Sequence, residues 1–383
     1  TFGAVGDINL ARPGDEHMRR HGAAWPFQKM REHLRKADLL FGNMESVILP
    51  PDYPEQEIDP KGLVSRYDSS AALKEAGFDI VNLAQNHILG GGARGMFHTQ
   101  QVIEAAGVAT AGIGRTQAEA RQIRVIEKGG LSFGFLCYCE DSNYTLGTTG
   151  PCYAYYTREN VLADIERCRH EVDVLVVSIH ADLEFMQTPS TPRRQIMREA
   201  ARAGATLVLG HHPHVPQGME RIGDSLVVYS LGNFYFNSHS WDYMRNHLPH
   251  TAHSFLLLAE VEPGRVGAVR RVPFAIHPDP EERPAPMEGE QKRQMLTVLE
   301  ELDRMAADDE VVRRNWRQIA LEHLALKLNE ARQQTSEDLL IDTLGRLLLV
   351  QENRNWIEEV QAAVKENWDR QAKVIDPLHR PHY

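Results

Sequence analysis

Predominantly apolar runs recur along the first two thirds of the chain, and each stops at a glycine or a polar side chain. Phe2 to Val5, Leu39 to Phe41, Ile80 to Leu83, Val172 to Ile179 and Leu207 to Leu209 have this form, which is that of strands buried on both faces. Helical patterns separate them at Pro26 to Lys36, Ser69 to Ala76, Ala93 to Ala106, Arg158 to His170 and Arg193 to Ala203. Strand and helix in alternation predict a parallel sheet with helical crossovers. A hairpin at Gly129-Gly130 leads into a strand from Leu131 to Tyr138, and Leu226 to Tyr229 reads as a further strand. Ser254 to Val261 and Val266 to Ile276 form a pair across Pro263-Gly264. An α/β sandwich is the expected class.

The pattern breaks after residue 277. Pro278 to Glu290 is rich in Pro, Glu and Asp without hydrophobic periodicity, as in a connector. Beyond it, Gln291 to Lys373 carries apolar residues at helical spacing, such as Met295, Leu299 and Leu302, or Leu339, Leu340, Leu344, Leu347 and Leu348. The expected organisation is a domain over 1–277, a linker over 278–290 and a helical region over 291–383. The helices are expected to pack over the sheet or to form a homodimer, with a substrate-binding cap as the alternative.

Length and charge narrow the function classes. A chain of 383 residues buries a full core, and its formal charge of -11 opposes broad nucleic-acid binding. Cys137, Cys139, Cys152 and Cys168 show no paired CxxC spacing and read as reduced thiols. No apolar stretch approaches the ~18 residues of a membrane helix, and no charged, apolar leader opens the chain. A cytoplasmic protein without a membrane partner is expected, although Thr1 in place of an initiator Met allows for a leader removed ahead of it.

The chemistry lies just beyond the apolar runs. Gly6-Asp7-Ile8-Asn9, Gly42-Asn43-Met44-Glu45, Gln85-Asn86-His87, His180-Ala181-Asp182 and Gly210-His211-His212-Pro213-His214 all place metal-ligand side chains at strand ends. In α/β sheets reactive groups from distant segments gather at such ends. One metal centre is predicted. Asn43 and Glu45, two apart, share a side of a continuing strand, and the His-x-His of His212 and His214 aims two imidazoles at one point. Asp182 and Glu184 fall on the same side as His180, where either carboxylate could hold its tautomer.

The ordered set Gly-Asp, Asn-x-Glu, Asn-His, His-x-x-x-Glu, Gly-His-His-Pro-His and Tyr229-Ser230-Leu231-Gly232-Asn233-Phe234 resembles the CapA-like (poly-γ-glutamate capsule protein) family, a branch of the calcineurin-like metallophosphoesterases. The resemblance spans Thr1 to Ile276. It implies a calcineurin-like two-sheet sandwich flanked by helices, with metal binding by Asp7, Asn43 or Glu45, Asn86, His180, His212 and His214. The chain departs from the wider superfamily at Asn9, which stands where a His is usual, and at Asn43, which stands where a bridging Asp is usual. It departs from CapA-like proteins at Gly90, which stands where an Asp commonly follows Asn-His. His180-Ala181-Asp182 replaces a common His-Trp-Gly and adds a carboxylate beside the histidine.

The oxygen donors Asp7, Asn9, Asn43, Glu45 and Asn86 favour one divalent ion, Mn or Ca ahead of Mg or Zn, and no organic cofactor is expected. A narrower resemblance is to lasso-peptide epimerases, CapA-like proteins that invert the Cα of a precursor's C-terminal residue, such as Trp. It implies a peptide substrate and acid-base exchange by His87 and His180, oriented by Asp7 and Asp182. The segment His239 to His253 would contact substrate through Trp241, Tyr243 and His247. A metal-dependent hydrolase, either a phosphoesterase or an amide or γ-glutamyl hydrolase, is the second expectation. A non-enzymatic capsule-assembly protein is the third.

Overall fold

The apolar runs become two sheets whose inner faces share one core, and the chain builds them in turn. In the computed structural model, residues 1–11, 14–58, 62–140, 150–277, 282–333 and 351–366 are described. Strands β1 (Phe2–Ile8), β2 (Leu39–Met44), β3 (Ile80–Asn82) and β4 (Ala109–Ala111) lie parallel in the first sheet. The chain then crosses to a second sheet. This comprises β5 (Arg124–Lys128), β6 (Leu131–Cys139), β7 (Val174–His180), β8 (Leu207–His211), β9 (Met219–Ile222) and β10 (Ser225–Val228), in the order β9-β10-β8-β7-β6-β5. Finally β11 (Asn233–Tyr235) returns to lie parallel to the end of β1. Strands β12 (His253–Glu262), β13 (Arg265–Ile276) and β14 (Pro284–Pro286) complete the first sheet on the other side of β1.

Between the sheets, Phe2 stacks 6.4 Å from Phe133 and Phe41 stacks 5.8 Å from Phe135. Helices cover the outer faces, as right-handed crossovers require. Helices Arg158–Cys168 and Thr191–Ala203 bury Val161, Ile165, Met197 and Ala200 against the second sheet. Thr157 and Ser190 cap them by accepting from the amides of Asn160 and Arg193. Ser70–Ala76 and Gly92–Ala105 contribute Leu73, Met96 and Ile103 to the main core. The α/β fold class is therefore the expected one, a two-sheet sandwich flanked by helices.

Several elements differ from expectation. The helix expected over Pro26 to Lys36 is a 3-10 segment, Trp25–Met30, followed by a single turn, Arg31–Leu34. A short helix at Gly14–His21 has Met18 as its one large apolar side chain, too few to announce itself. The expected linker is not a plain connector. Residues 278–281 lie outside the described residues, but Pro284–Pro286 pairs with β13 as the outermost strand, where proline costs no ladder hydrogen bond. Arg283 fixes it from the side, with its guanidinium 3.5 Å above the Trp25 ring.

Among the C-terminal helices, Gly289–Ala307 adds Met295, Leu299 and Leu302 to the main core. Asp309–Arg332 and Gln351–Lys365 pair with each other, and the expected apolar positions Leu339, Leu340, Leu344, Leu347 and Leu348 lie outside the described residues. No described helix is long and apolar enough to cross a membrane. All four cysteines are buried, and none forms a disulfide among the described residues.

Candidate metal centre

The strand ends converge where the two sheets meet. Two glycines let them approach: a Cβ on Gly6 would lie 1.7 Å from the Gly232 carbonyl oxygen, and one on Gly210 would lie 1.8 Å from that of Tyr229. The next residues are Asp7 and His211, so both close approaches deliver site residues. The pairing of β1 with β2 shifts register between Ala4 and Asp7, and its pairing with β11 shifts between Asp7 and Ile8. Such irregularities re-aim side chains beside functional sites.

Glu45 is the chemical centre of the cluster. It is fully buried, and neither carboxylate oxygen has a hydrogen-bond partner among the described residues. Its Oε1 lies 3.7 Å from His180 Nε2, 3.7 Å from His214 Nε2 and 3.9 Å from His87 Nε2. Burial, then the charges of Asp7 and Glu184, push its pKa well above the usual range. A carboxylate so placed requires a proton or a cation.

The histidines are oriented to serve a cation. His214 Nδ1–H donates to Asn233 Oδ1 at 2.9 Å, which turns the bare Nε2 towards Glu45 and towards Glu184 Oε1 at 3.7 Å. A lone pair facing two carboxylates is repulsive unless a positive charge lies between them. Ligand atoms of Glu45, His180 and His212 lie within 4.8 Å of one another, as do those of Glu184, His212 and His214, and those of Asp7, Glu45 and His214. This mixture of carboxylate oxygen and imidazole nitrogen suits a divalent ion such as Mn or Zn. The residues present therefore fit the expected metal.

The amides take a different role from the one expected. Asn43 and Asn86, expected as ligands, instead grip His180. Asn43 Nδ2 lies 3.1 Å from His180 Nδ1 and can only donate, so Nε2 carries the proton and donates to Asn86 Oδ1 at 2.9 Å. Asn43 Oδ1 is itself taken by Asn82 Nδ2 at 2.7 Å, and its amide nitrogen also donates to Asp7 Oδ1 at 2.8 Å. Asn9 is likewise engaged, accepting from the Ala11 amide and donating to Asn237. With both nitrogens held and 1% of its side-chain surface exposed, His180 is rigidly placed rather than free to shuttle protons as expected, and it could serve a cation only if Nε2 gave up its proton and its bond to Asn86 Oδ1.

Asp182 also corrects its expected role. Its φ of 93° breaks the strand alternation and turns the carboxylate away from His180. There it accepts from the amides of Leu183 and Ser190, 3.4 Å from Arg193 Nη1. Asp7 does lie within the cluster, accepting from the His212 amide at 3.2 Å and standing 3.5 Å from His211 Nδ1.

Glu184, marked in the sequence as the end of His-x-x-x-Glu and as a carboxylate that could hold the His180 tautomer, does reach the site, beside His214. It accepts from the Tyr243 hydroxyl, and burial followed by the charge of Asp7 pushes its pKa up to about 8. The expected substrate segment borders this side. His247 stacks on Phe185 at 3.8 Å, while Trp241 meets Phe236, whose ring lies 4.6 Å from His214. His87 is partly exposed at 24% and joins the cluster through Glu45. Four non-glycine residues at the centre hold left-handed φ values, Asp182 at 93°, Phe185 at 64°, His212 at 94° and His214 at 57°. Conformations that cost about 1 kcal/mol or more each persist where surroundings enforce them, characteristically at functional sites.

These charges set a pH dependence. Burial raises Glu45, Glu140 (to about 7) and Glu184 (to about 8) above their ordinary 4.5, so their contribution is full below 4.5 and lost as pH rises through the folded values. Burial lowers His180, His211, His212 and His214 from 6.5, so theirs is present above 6.5 and lost as pH falls. Between the two ordinary values the unfolded chain holds more protons, and above 6.5 the folded chain does. The melting temperature in chelator should peak near about pH 6.5 and fall towards about pH 8. A profile still rising across that upper range would contradict the assignment, and saturating Mn2+ should flatten the upper limb.

The chain is similar to several known proteins. The capsule biosynthesis protein CapA of Bacillus anthracis is 28% identical over 247 residues, 62% of this chain and 60% of that protein. The PGA biosynthesis protein CapA of Bacillus subtilis is 27% identical over 301 residues, 78% of this chain and 76% of that protein. The chain thus spans less than two thirds of the length of the first. Among crystal structures, a hypothetical protein from Thermus thermophilus superposes with a TM-score of 0.45 at 17% identity, covering 72% of this chain and 98% of that one. A 5'-nucleotidase precursor from the same organism gives 0.44 at 11% identity, over 78% and 58%. Residues 1–238, well over half of the sequence and including every ligand candidate described above, match the family of the bacterial capsule synthesis protein PGA_cap, and the chain belongs to that family.

Proposed function

We propose that this centre performs metal-dependent proton exchange at a peptide Cα and so epimerises a C-terminal residue. One observation carries the reading. Two partly exposed proton-transfer groups, His87 following β3 of the first sheet and Glu184 following β7 of the second, reach the same buried ligand cluster, whereas His180 and His214 at its heart are held by hydrogen bonds. A bound divalent ion would polarise the carbonyl next to the reacting carbon and so acidify its Cα–H. His87 then takes that proton from one face. Glu184, held protonated near neutrality by its raised pKa, returns a proton from the other. Each turnover leaves the imidazole protonated and the carboxyl ionised, and exchange with solvent or reverse turnover resets both. Tyr243 positions Glu184 by donating to its second oxygen. The amides that replace a His at Asn9 and a bridging Asp at Asn43 are spent on hydrogen bonds, which supports exchange over two-metal hydrolysis.

A hydrolase is the second reading, favoured by the unpartnered Glu45 carboxylate among three imidazoles, a donor set that suits activation of water. Mass spectrometry of peptides incubated with Mn2+-loaded protein in heavy water separates the two. Uptake of one non-exchangeable deuteron at unchanged connectivity, lost in chelator, is the expected result. Fragments with a new solvent-derived end would move the assignment to hydrolysis.

A further inference from the structure

The centre reaches further along the chain than its own sheets. Glu140, the residue after β6, is 5% exposed, and its backbone amide donates to the His180 carbonyl at 3.0 Å. Its carboxylate bridges two distant elements. Oε2 accepts from the Asp182 amide at 3.2 Å, and Oε1 accepts from Asn355 Nδ2 at 3.1 Å, on the C-terminal helix Gln351–Lys365. Trp356, the next residue of that helix, is buried in a separate apolar cluster with Leu183, Met186, Trp316, Ile319 and Ala320. Two consecutive residues of one helix therefore hold the loop after His180 at both its polar base and its apolar tip.

That loop is the arm that carries Glu184. Asp182 closes it by accepting from the amides of Leu183 and Ser190, and the Phe185 amide donates to the Pro213 carbonyl, between His212 and His214. Arg317 ties the C-terminal helices together through Glu359. We propose that Asn355 is a positioning residue for the metal centre, acting through Glu140 and the 182–190 loop to place Glu184 beside His212 and His214. The inference rests on the reading of that cluster as a cation site. It makes the C-terminal helices part of the functional unit, although they lie outside the stretch that matches the family.

The test compares full-length Asn355→Ala with wild type in two measurements, amide exchange by mass spectrometry without metal and calorimetric titration with Mn2+. Exchange of the 182–190 segment should quicken about tenfold while the melting temperature moves by no more than a few degrees, the signature of local rather than global loosening. Mn2+ affinity should fall about tenfold, as for loss of a residue that orients ligands. In a Glu184→Gln background the same change should cost nothing further, because the side chain it positions no longer supplies a carboxyl group to the site. Unchanged loop exchange, or losses that multiply in the double variant, would overturn the proposal. If the alanine variant does not fold, Asn355→Gln, which lengthens the arm by one methylene, is read in the same way. Failure of the wild type to bind Mn2+ would overturn the cation site, whereas the loop exchange still decides whether Asn355 governs the loop.

Discussion

Glu45→Gln should abolish tight divalent-cation binding and at the same time raise the melting temperature of the metal-free protein. The two effects share a cause. Glu45 is fully buried, both its oxygens are unpartnered among the described residues, and Asp7 and Glu184 add negative charge around it. Without a cation, ionising this group is costly, since a buried charge lacking a partner destabilises by several kcal/mol in proteins. Glutamine preserves the shape and removes the charge. Its amide can also donate towards the bare His214 Nε2, now 3.7 Å from the carboxylate. A gain of about 1–2 kcal/mol would appear as a rise of roughly 1–3 °C for a protein of this size. The same change removes the carboxylate shared by two of the three ligand groupings, so Mn2+ affinity should drop at least about 100-fold. Calorimetric titration and melts in chelator read both quantities. Near-normal Mn2+ affinity, or a lower melting temperature without metal, would show that Glu45 is not the charge around which the site is built.

The parts of this site visible in the sequence are those that strand geometry determines. Asp7, Glu45, His87, His180, His212 and His214 each come just after an apolar run, and parallel strands must deliver such residues to one edge. What each side chain then does depends on backbone angles and neighbours that spacing does not encode. Asp182 shares the side of His180 only if the strand continues, and its left-handed φ ends that continuation. Asn43 and Asn86 are good oxygen donors in isolation, but the fold occupies both oxygens, Asn43 Oδ1 by accepting from Asn82 Nδ2 and Asn86 Oδ1 by accepting from His180 Nε2. Asn82 is detectable in principle as a lone amide in the run Ile80-Val81-Asn82-Leu83, and it fixes Asn43. Nothing in the sequence links Asn355 to Glu140, because that contact spans 215 positions and depends on how the C-terminal helices dock. The connector expected over 278–290 fails for a related reason. Proline opposes an interior strand but not an outermost one, and Pro284–Pro286 occupies the edge.

His87→Gln and Glu184→Gln should each abolish inversion while each sparing exchange in a different epimer. If two groups work on opposite faces of one carbon, removing His87 leaves Glu184 facing the epimer whose Cα–H points towards it. That epimer can still lose its proton to Glu184 and recover a deuteron from it, without inversion. The other epimer, whose proton faces the missing imidazole, should become inert, and Glu184→Gln should reverse the assignment. Loss of a positioned acid or base costs on the order of 100- to 10,000-fold in rate, so inversion should vanish from both variants. Neither change should unfold the protein, because His87 is 24% exposed and Glu184 is 21% exposed, each at the rim rather than in the core. Feeding each epimer separately in heavy water and tracking deuteron uptake alongside chiral analysis gives four rates per variant. Equal loss of exchange for both epimers in both variants would exclude a two-face mechanism and leave a single base or hydrolytic chemistry. The crossed pattern would be difficult to produce by general damage to the site, since damage has no reason to discriminate between mirror-related Cα–H bonds.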